Sequence, residues 1–414
     1  MPEGVDEVEI PVESISSLLL IKAQVNGVTM KFILDTGATT STVFNLHNVD
    51  SLIVGEGKRT TIRGYGSLKP FEAIESYHNE IKIGELQSLD ATLNILTETQ
   101  ISFLPILGTE VNGLLGNDFF KNYFVELNYR KNKVVVHRSS QRLRLHRYDA
   151  MEIDVKGGKM FISGMASHNS SEIDLSILLD TGSGDALWIF EKHKNFKLPK
   201  KGFRDYLGFG ISGDVYGFRS KLNQLQFGNF LFEKITFAFP ELNQYRDIVG
   251  KKPRGSLGGE VFRRFNVIID YQNQVAYFKK NRAFKDGFYY NMAGLKLREG
   301  EKELITKVKY NYDKDADSES RSIVKTRLND NKTYLVSYAP KILVSYVAPD
   351  SPADEAGIMK GDQIVGFFKK DLGEFSMGDV SENFYRNPYR KLYLRLKRQD
   401  KFYEANLFLK PIIE

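Results

Sequence analysis

The chain has 414 residues, too many for one hydrophobic core, with 42% hydrophobic and 27% charged content that is ordinary for a globular protein. A formal net charge of +6 is mild at this length, and no apolar run is long enough to span a bilayer as a helix. There are no cysteines, which excludes disulfides, thiol catalysis and cysteine metal sites, and the six histidines (His47, His78, His137, His146, His168, His193) have no paired spacing suited to a metal.

In chain order, the opening MPEGVDEVEI lacks the charged-then-apolar form of a signal peptide. From Val8 to Asp35 the residues alternate and then become apolar, which predicts a hairpin turning at Asn26-Gly27 whose second strand delivers Asp35. Met151 to Asp180 repeats the plan, with turns at Gly157-Gly158 and at His168-Asn169-Ser170. Short helices are predicted at 118–123 and 260–265, and abundant Phe and Tyr favour strands elsewhere. The basic run Arg138–Arg147 reads as an exposed strand or linker, because a basic patch without further signals is weak evidence for nucleic acid. After Lys285 the character changes. Residues 311–331 are polar and charged, and a strand at Leu343–Val347 precedes a short helix with Ser351 as cap, Pro352 in its first turn and Gly357 closing it. A strand from Gln363 to Phe367 and a hairpin through 391–396 and 405–409 complete a third, small domain.

One short motif occurs twice, Asp35-Thr36-Gly37 and Asp180-Thr181-Gly182, each after an apolar run. Other features repeat with it in the same order: Gly64-Tyr65-Gly66 with Gly208-Phe209-Gly210, then Gly113-Leu114-Leu115-Gly116 with Gly255-Ser256-Leu257-Gly258, then Leu127-Asn128-Tyr129 with Ile269-Asp270-Tyr271. The copies lie 142 to 145 positions apart, so the first two-thirds of the chain is an internal duplication. Two carboxylates brought together share one proton, because both cannot ionise comfortably in contact; this separates a base from an acid.

These residues resemble the pepsin and retropepsin class of aspartic peptidases over residues 1–284. The resemblance implies a mainly β fold: two duplicated lobes, 1–146 and 147–284, with one active site at their seam. It implies Asp35 and Asp180 as the catalytic pair, holding a water that attacks the amide carbonyl. Thr36 and Thr181 would cross-brace the two loops, and Gly37 and Gly182 would donate N–H groups to the carboxylates. Leu115, Gly116, Leu257 and Gly258 would pack behind, and the two glycine-flanked aromatics would form a flap over substrate. For those aromatics a glycine-rich bulge with a core side chain remains the alternative. Trp188 is expected in a lobe core, and Asp185 at the surface unless it reaches the pair and adds repulsion. Ser183 follows the second signature but Ala38 follows the first, so Asp35 lacks a hydroxyl donor and is expected to hold the shared proton, with activity at weakly acidic to near-neutral pH.

Residues 285–414 resemble a bacterial-type PDZ domain, through Val347–Ala353, Ala356-Gly357 and Gly361-Asp362, with an insertion at about 311–343. The resemblance implies peptide binding by strand addition, with Ala293-Gly294-Leu295 as the loop that receives a terminal carboxylate. The expectation is an aspartic endopeptidase acting on polypeptide, monomeric, with no metal or other cofactor and no nucleic-acid partner. The alternatives are a catalytically silent peptide-binding protein and a homodimer that completes the site between chains. The assembly is similar to exported bacterial peptidases, which implies an envelope or extracellular location, a cytoplasmic one being the alternative.

Overall fold

The computed structural model describes residues 1–46, 49–62, 70–97, 101–103, 107–190, 199–210, 213–241, 255–310, 332–411 and 413. The fold is mainly β. Two compact units are present: Met1–Tyr290 with Pro411–Glu414, and Asn291–Lys410.

In the larger unit the sequence duplication reappears as topology. One eight-stranded sheet runs in the order Glu13–Ile15, Leu18–Val25, Val28–Leu34, Gly113–Leu115, Thr42–Val43, Leu86–Leu96, Phe71–Ile83, Gly57–Ile62. A second has the same order: Asp154–Lys156, Lys159–His168, Ser171–Leu179, Gly255–Leu257, Leu187–Ile189, Phe230–Pro240, Gly213–Phe227, Phe203–Gly210. The expected turns form where the chain needs positive φ. Asn26 and Gly27 (φ 47° and 83°) close the first hairpin, and Gly157 and Gly158 (φ 56° and 78°) open the corresponding region of the second half.

A third sheet was not legible as such. It has six strands and interleaves the halves, in the order Glu7–Pro11, Lys133–His137, Phe124–Asn128, Phe265–Asp270, Val275–Lys280, Asp149–Glu152. Its central contact pairs Val125 with Ile269 and Leu127 with Val267, so the repeated segments meet each other rather than closing separate lobes. One apolar core therefore runs through both halves, from Val8 to Phe288. Its aromatic part includes Phe230 and Phe265, with ring centroids 4.8 Å apart, and Phe232 and Phe284, 5.0 Å apart. The fully buried Arg264 bonds the Glu260 carboxylate (2.8 Å) and the Gly287 carbonyl (3.0 Å), tying the segment that leaves this core. The short helices occur at Asn117–Phe119 (a 3-10 turn) and Gly259–Phe262. Arg138–Arg147 is an exposed linker carrying only a 3-10 turn at Leu145–Arg147.

The smaller unit is a six-stranded sheet, Leu295–Tyr310, Lys332–Val347, Gln363–Phe367, Lys391–Arg398, Lys401–Phe408, with Lys370–Asp371 beside the third. Leu295–Tyr310 and Lys332–Val347 pair antiparallel along their length. The insertion expected at about 311–343 thus includes strand residues from Lys332 onward, while 311–331 lie outside the described residues. The Ser351 hydroxyl accepts from Asp354 N to cap the helix Pro352–Glu355, and Gly357 ends it at φ 72°. Asp362 is buried and accepts from Arg398 Nε (2.6 Å) and Met359 N (2.8 Å), which fixes the turn before Gln363–Phe367.

Candidate active site

Each signature aspartate follows the end of a strand that runs parallel to an apolar-glycine element. Leu34 pairs with Leu115 and Leu179 with Leu257. The ladders continue one residue further: Asp35 N donates to the Leu115 carbonyl (2.8 Å) and Asp180 N to the Leu257 carbonyl (3.0 Å). The backbone then turns, with Ala38 N on Asp35 O and Ser183 N on Asp180 O, both at 3.3 Å. Gly116 and Gly258 sit behind these turns. A Cβ at Gly116 would come within 3.0 Å of the Ala38 carbonyl oxygen, and one at Gly258 within 2.8 Å of that of Ser183, so only glycine lets the loops pack this closely.

The two loops are bonded to each other through the threonines. Thr36 Oγ1 accepts from Thr181 N (3.0 Å) and donates to the Leu179 carbonyl (2.7 Å). Thr181 Oγ1 accepts from Thr36 N (3.1 Å) and donates to the Leu34 carbonyl (2.6 Å). Both threonines are fully buried, and each hydroxyl uses its one proton. The glycines then face across the seam. A Cβ at Gly182 would stand 2.5 and 2.6 Å from the Asp35 carboxylate oxygens, and one at Gly37 2.8 Å from Asp180 Oδ1. Asp35 and Asp180 are therefore neighbours, each beside the other half's glycine.

Burial and the Asp180 charge push the Asp35 carboxyl up to about 7, against the opposing pull of the Gly37 and Ala38 N–H groups and of Lys159. Gly37 N donates to Asp35 Oδ1 at 2.7 Å. Asp180 is also held above the usual carboxylate range by burial, but a hydroxyl opposes this: Ser256 Oγ donates to Asp180 Oδ2 at 2.8 Å. The two carboxyls thus differ in their donors, but the hydroxyl on Asp180 comes from a different residue than expected. Ser183 contributes its backbone N–H to Asp180, and the hydroxyl that reaches the carboxylate is that of Ser256, whose counterpart in the first half is the apolar Leu114.

Two further residues were missed from the sequence. Lys159 lowers the pKa of both aspartates by its charge. Asn117 Nδ2 donates both to the Thr36 carbonyl (3.0 Å) and to the Gly158 carbonyl (2.6 Å), which moors the Gly157-Gly158 turn on the first loop. Serine in an apolar-apolar-glycine slot, and lysine where the first half has Leu18, were the available signals.

Asp185 is half-buried and paired rather than free at the surface. It binds the buried Arg219 through two contacts (2.9 and 3.2 Å) and accepts from Trp188 Nε1 (2.6 Å). Trp188 is buried with Phe190, Leu207, Val215 and Ala238, a packing role. Gly64, Tyr65 and Gly66 lie outside the described residues, between the paired strands Gly57–Ile62 and Phe71–Ile83. Gly208, Phe209 and Gly210 end the strand Phe203–Gly210 at a hairpin where Gly210 pairs with Gly213, just beyond a register shift at Tyr206/Gly208. Hairpin end and bulge thus coexist there.

In the smaller unit, Ala293, Gly294 and Leu295 are buried. The N–H groups of Ala293 and Gly294 donate to Asn291 Oδ1 (3.2 and 3.0 Å), and Gly294 accepts from Ala348 N (2.8 Å). The loop expected to receive a carboxylate therefore has two of its donors bound internally. Leu295–Tyr310 is an edge strand, with the helix Met377–Glu382 packed against it.

A family model described as aspartyl protease matches residues 21–119, which include the first signature and Leu115-Gly116. No curated protein matches the chain.

Proposed function

We propose that this protein is an aspartic endopeptidase that hydrolyses peptide bonds with a water held between Asp35 and Asp180, and that Asn291–Lys410 recruits or positions polypeptide. The observation that carries this reading is the reciprocal Thr36–Thr181 bonding, which sets two carboxyls side by side with their proton affinities raised. Asp180, steadied by Ser256, is the base, and Asp35 holds the proton. As the water oxygen bonds the carbonyl carbon, Asp180 takes its proton and Asp35 protonates the carbonyl oxygen, giving a gem-diol. When the C–N bond breaks, the amine nitrogen takes the proton from Asp180 and the diol returns one to Asp35. Water, amide and pair balance, and the starting protonation is restored.

The pair works while it holds one proton. Above about 7 Asp35 loses it, and at low pH Asp180 gains one, so the optimum falls at weakly acidic to near-neutral pH. Both aspartates come from one chain, which supports a monomer. For the smaller unit, the edge strand Leu295–Tyr310 beside a helix suits the strand addition of PDZ-like domains. The internally bonded Ala293 and Gly294 favour binding of an internal segment over a chain terminus. Digestion of a denatured protein mixture from pH 3 to 8 tests the activity. Wild type should cut it and Asp35→Asn and Asp180→Asn should not; an inert wild type, or full activity in either variant, refutes the reading.

A further inference from the structure

The three side chains that flank Asp35 are apolar, whereas their counterparts beside Asp180 are not. In the first half, Leu18 and Leu114 are buried in a cluster with Leu20, Ile33 and Phe44, and Ala38 packs against it. The equivalent positions in the second half hold Lys159, Ser183 and Ser256. Among the described residues the second half has a smaller apolar cluster, which includes Trp188, Phe190, Leu207, Val215 and Ala238.

Register places Lys159 at the pair. In the first half Leu20 pairs with Ile33, and two further antiparallel steps set Leu18 opposite Asp35. In the second half Phe161 pairs with Leu178, and two further steps set Lys159 opposite Asp180. The paired ladders end at Leu20–Ile33 and Phe161–Leu178, and the charge of Lys159 acts on both aspartates, in keeping with this placement. The position is fixed by Asn117 on the Gly158 carbonyl (2.6 Å) and by the close fit of Gly158 against Thr39, where a Cβ would lie 3.3 Å from Thr39 Cγ2. Lys159 is half-buried, and among the described residues no hydrogen bond or ion pair occupies its ammonium group. Ser256 has committed its one proton to Asp180, whereas the half-buried Ser183 hydroxyl, next to the Asp180 loop, has no side-chain hydrogen bond among the described residues.

We propose that Lys159 and Ser183 bind the carboxylate of an aspartate or glutamate side chain next to the scissile bond, while Leu18, Ala38 and Leu114 accept an apolar side chain from the opposite side of that bond. This inference rests on the peptidase reading and narrows its substrate to polypeptide with an acidic and an apolar residue at the cleaved junction. An ammonium with three unoccupied donors, half out of water, gains most from an incoming carboxylate, and a neutral isostere forfeits that gain.

Two measurements test it. Cleavage-site sequencing of a peptide-library digest should show Asp and Glu enriched at one of the two positions flanking the bond and apolar residues at the other. Matched peptides with Glu or Gln at that position are then compared by kcat/KM within each variant, so that any general loss of activity cancels. The Glu:Gln ratio should be about fivefold or more in wild type, close to one in Lys159→Met, and below one in Lys159→Glu. A wild type that cuts without acidic enrichment overturns the inference and leaves the peptidase reading standing. So does a Lys159→Met variant that keeps the ratio while its pH profile moves, since Lys159 would then be only a counter-ion to the aspartates. A wild type that cuts nothing overturns both.

Discussion

Replacing Ser256 by alanine removes the only side-chain hydroxyl bonded to Asp180 among the described residues, a 2.8 Å contact inside the protein. That donor favours the ionised carboxylate, so its loss must raise the proton affinity of Asp180. A hydrogen bond to a charged group contributes about 1.5–3 kcal/mol, and one pKa unit corresponds to about 1.4 kcal/mol, so the shift should be about one to two units. Asp180 is only 7% exposed, which limits screening by solvent. The assay is kcat/KM against pH on one fixed peptide. In Ser256→Ala the acid limb should move up by about one to two pH units, while the alkaline limb, set by Asp35 at about 7, stays. The optimum narrows from its acid side. Ser256→Thr, which keeps a hydroxyl, should retain the wild-type acid limb. An acid limb in Ser256→Ala that stays in place or moves down refutes the assignment of Asp180 as the base steadied by Ser256.

Other consequences follow from the same geometry. Thr36→Val or Thr181→Val leaves a buried N–H and a buried carbonyl unpaired across the seam and should cost about 2–4 kcal/mol in denaturant unfolding; a loss within the scatter of surface substitutions contradicts the bracing role. Asp35 binds its proton more tightly folded than unfolded, so its contribution to stability is full below about pH 4 and is lost as pH rises towards about 7. Asp35→Asn cannot ionise, so at pH 8 it should be more stable than wild type by about 1–4 kcal/mol, with little difference at pH 4; melting curves at the two pH values decide it, and an equal gain at both counts against the shift. Gly182→Ala drives a methyl into the Asp35 carboxylate and should lower kcat/KM by about 100-fold or more; activity near wild type would mean the carboxylate is not confined there.

The parts of this site visible in the sequence are those whose chemistry is carried by identity and local spacing. Asp-Thr-Gly, the Leu-Gly elements and the glycine turns are short, and their repetition in order supplied the pairing of Asp35 with Asp180. Ser256 was hidden because its slot reads as core, and a small polar residue there looks like ordinary variation. Lys159 was hidden because its nearness to Asp180 comes from antiparallel register across a long hairpin, which no local pattern displays. Asp185 looked like a free charge because its partner Arg219 lies 34 residues away on another strand. The six-stranded sheet was missed for the same reason: the repeat of Leu127-Asn128-Tyr129 and Ile269-Asp270-Tyr271 is visible in the sequence, but not that the strands carrying them pair with each other. In the smaller unit the capped helix and closing hairpin were local and legible, whereas the bonding of Asn291 to the Ala293-Gly294 loop was not.

The central claim is that Asp35 and Asp180 act as one unit sharing one proton. Its most direct test is a kinetic cycle on a single peptide with wild type, Asp35→Asn, Asp180→Asn and the double variant. If the pair is the catalyst, each single variant falls to the level of the double, with no further loss on combination. Independent losses that add up in the double variant, or substantial turnover in either single one, would contradict the account.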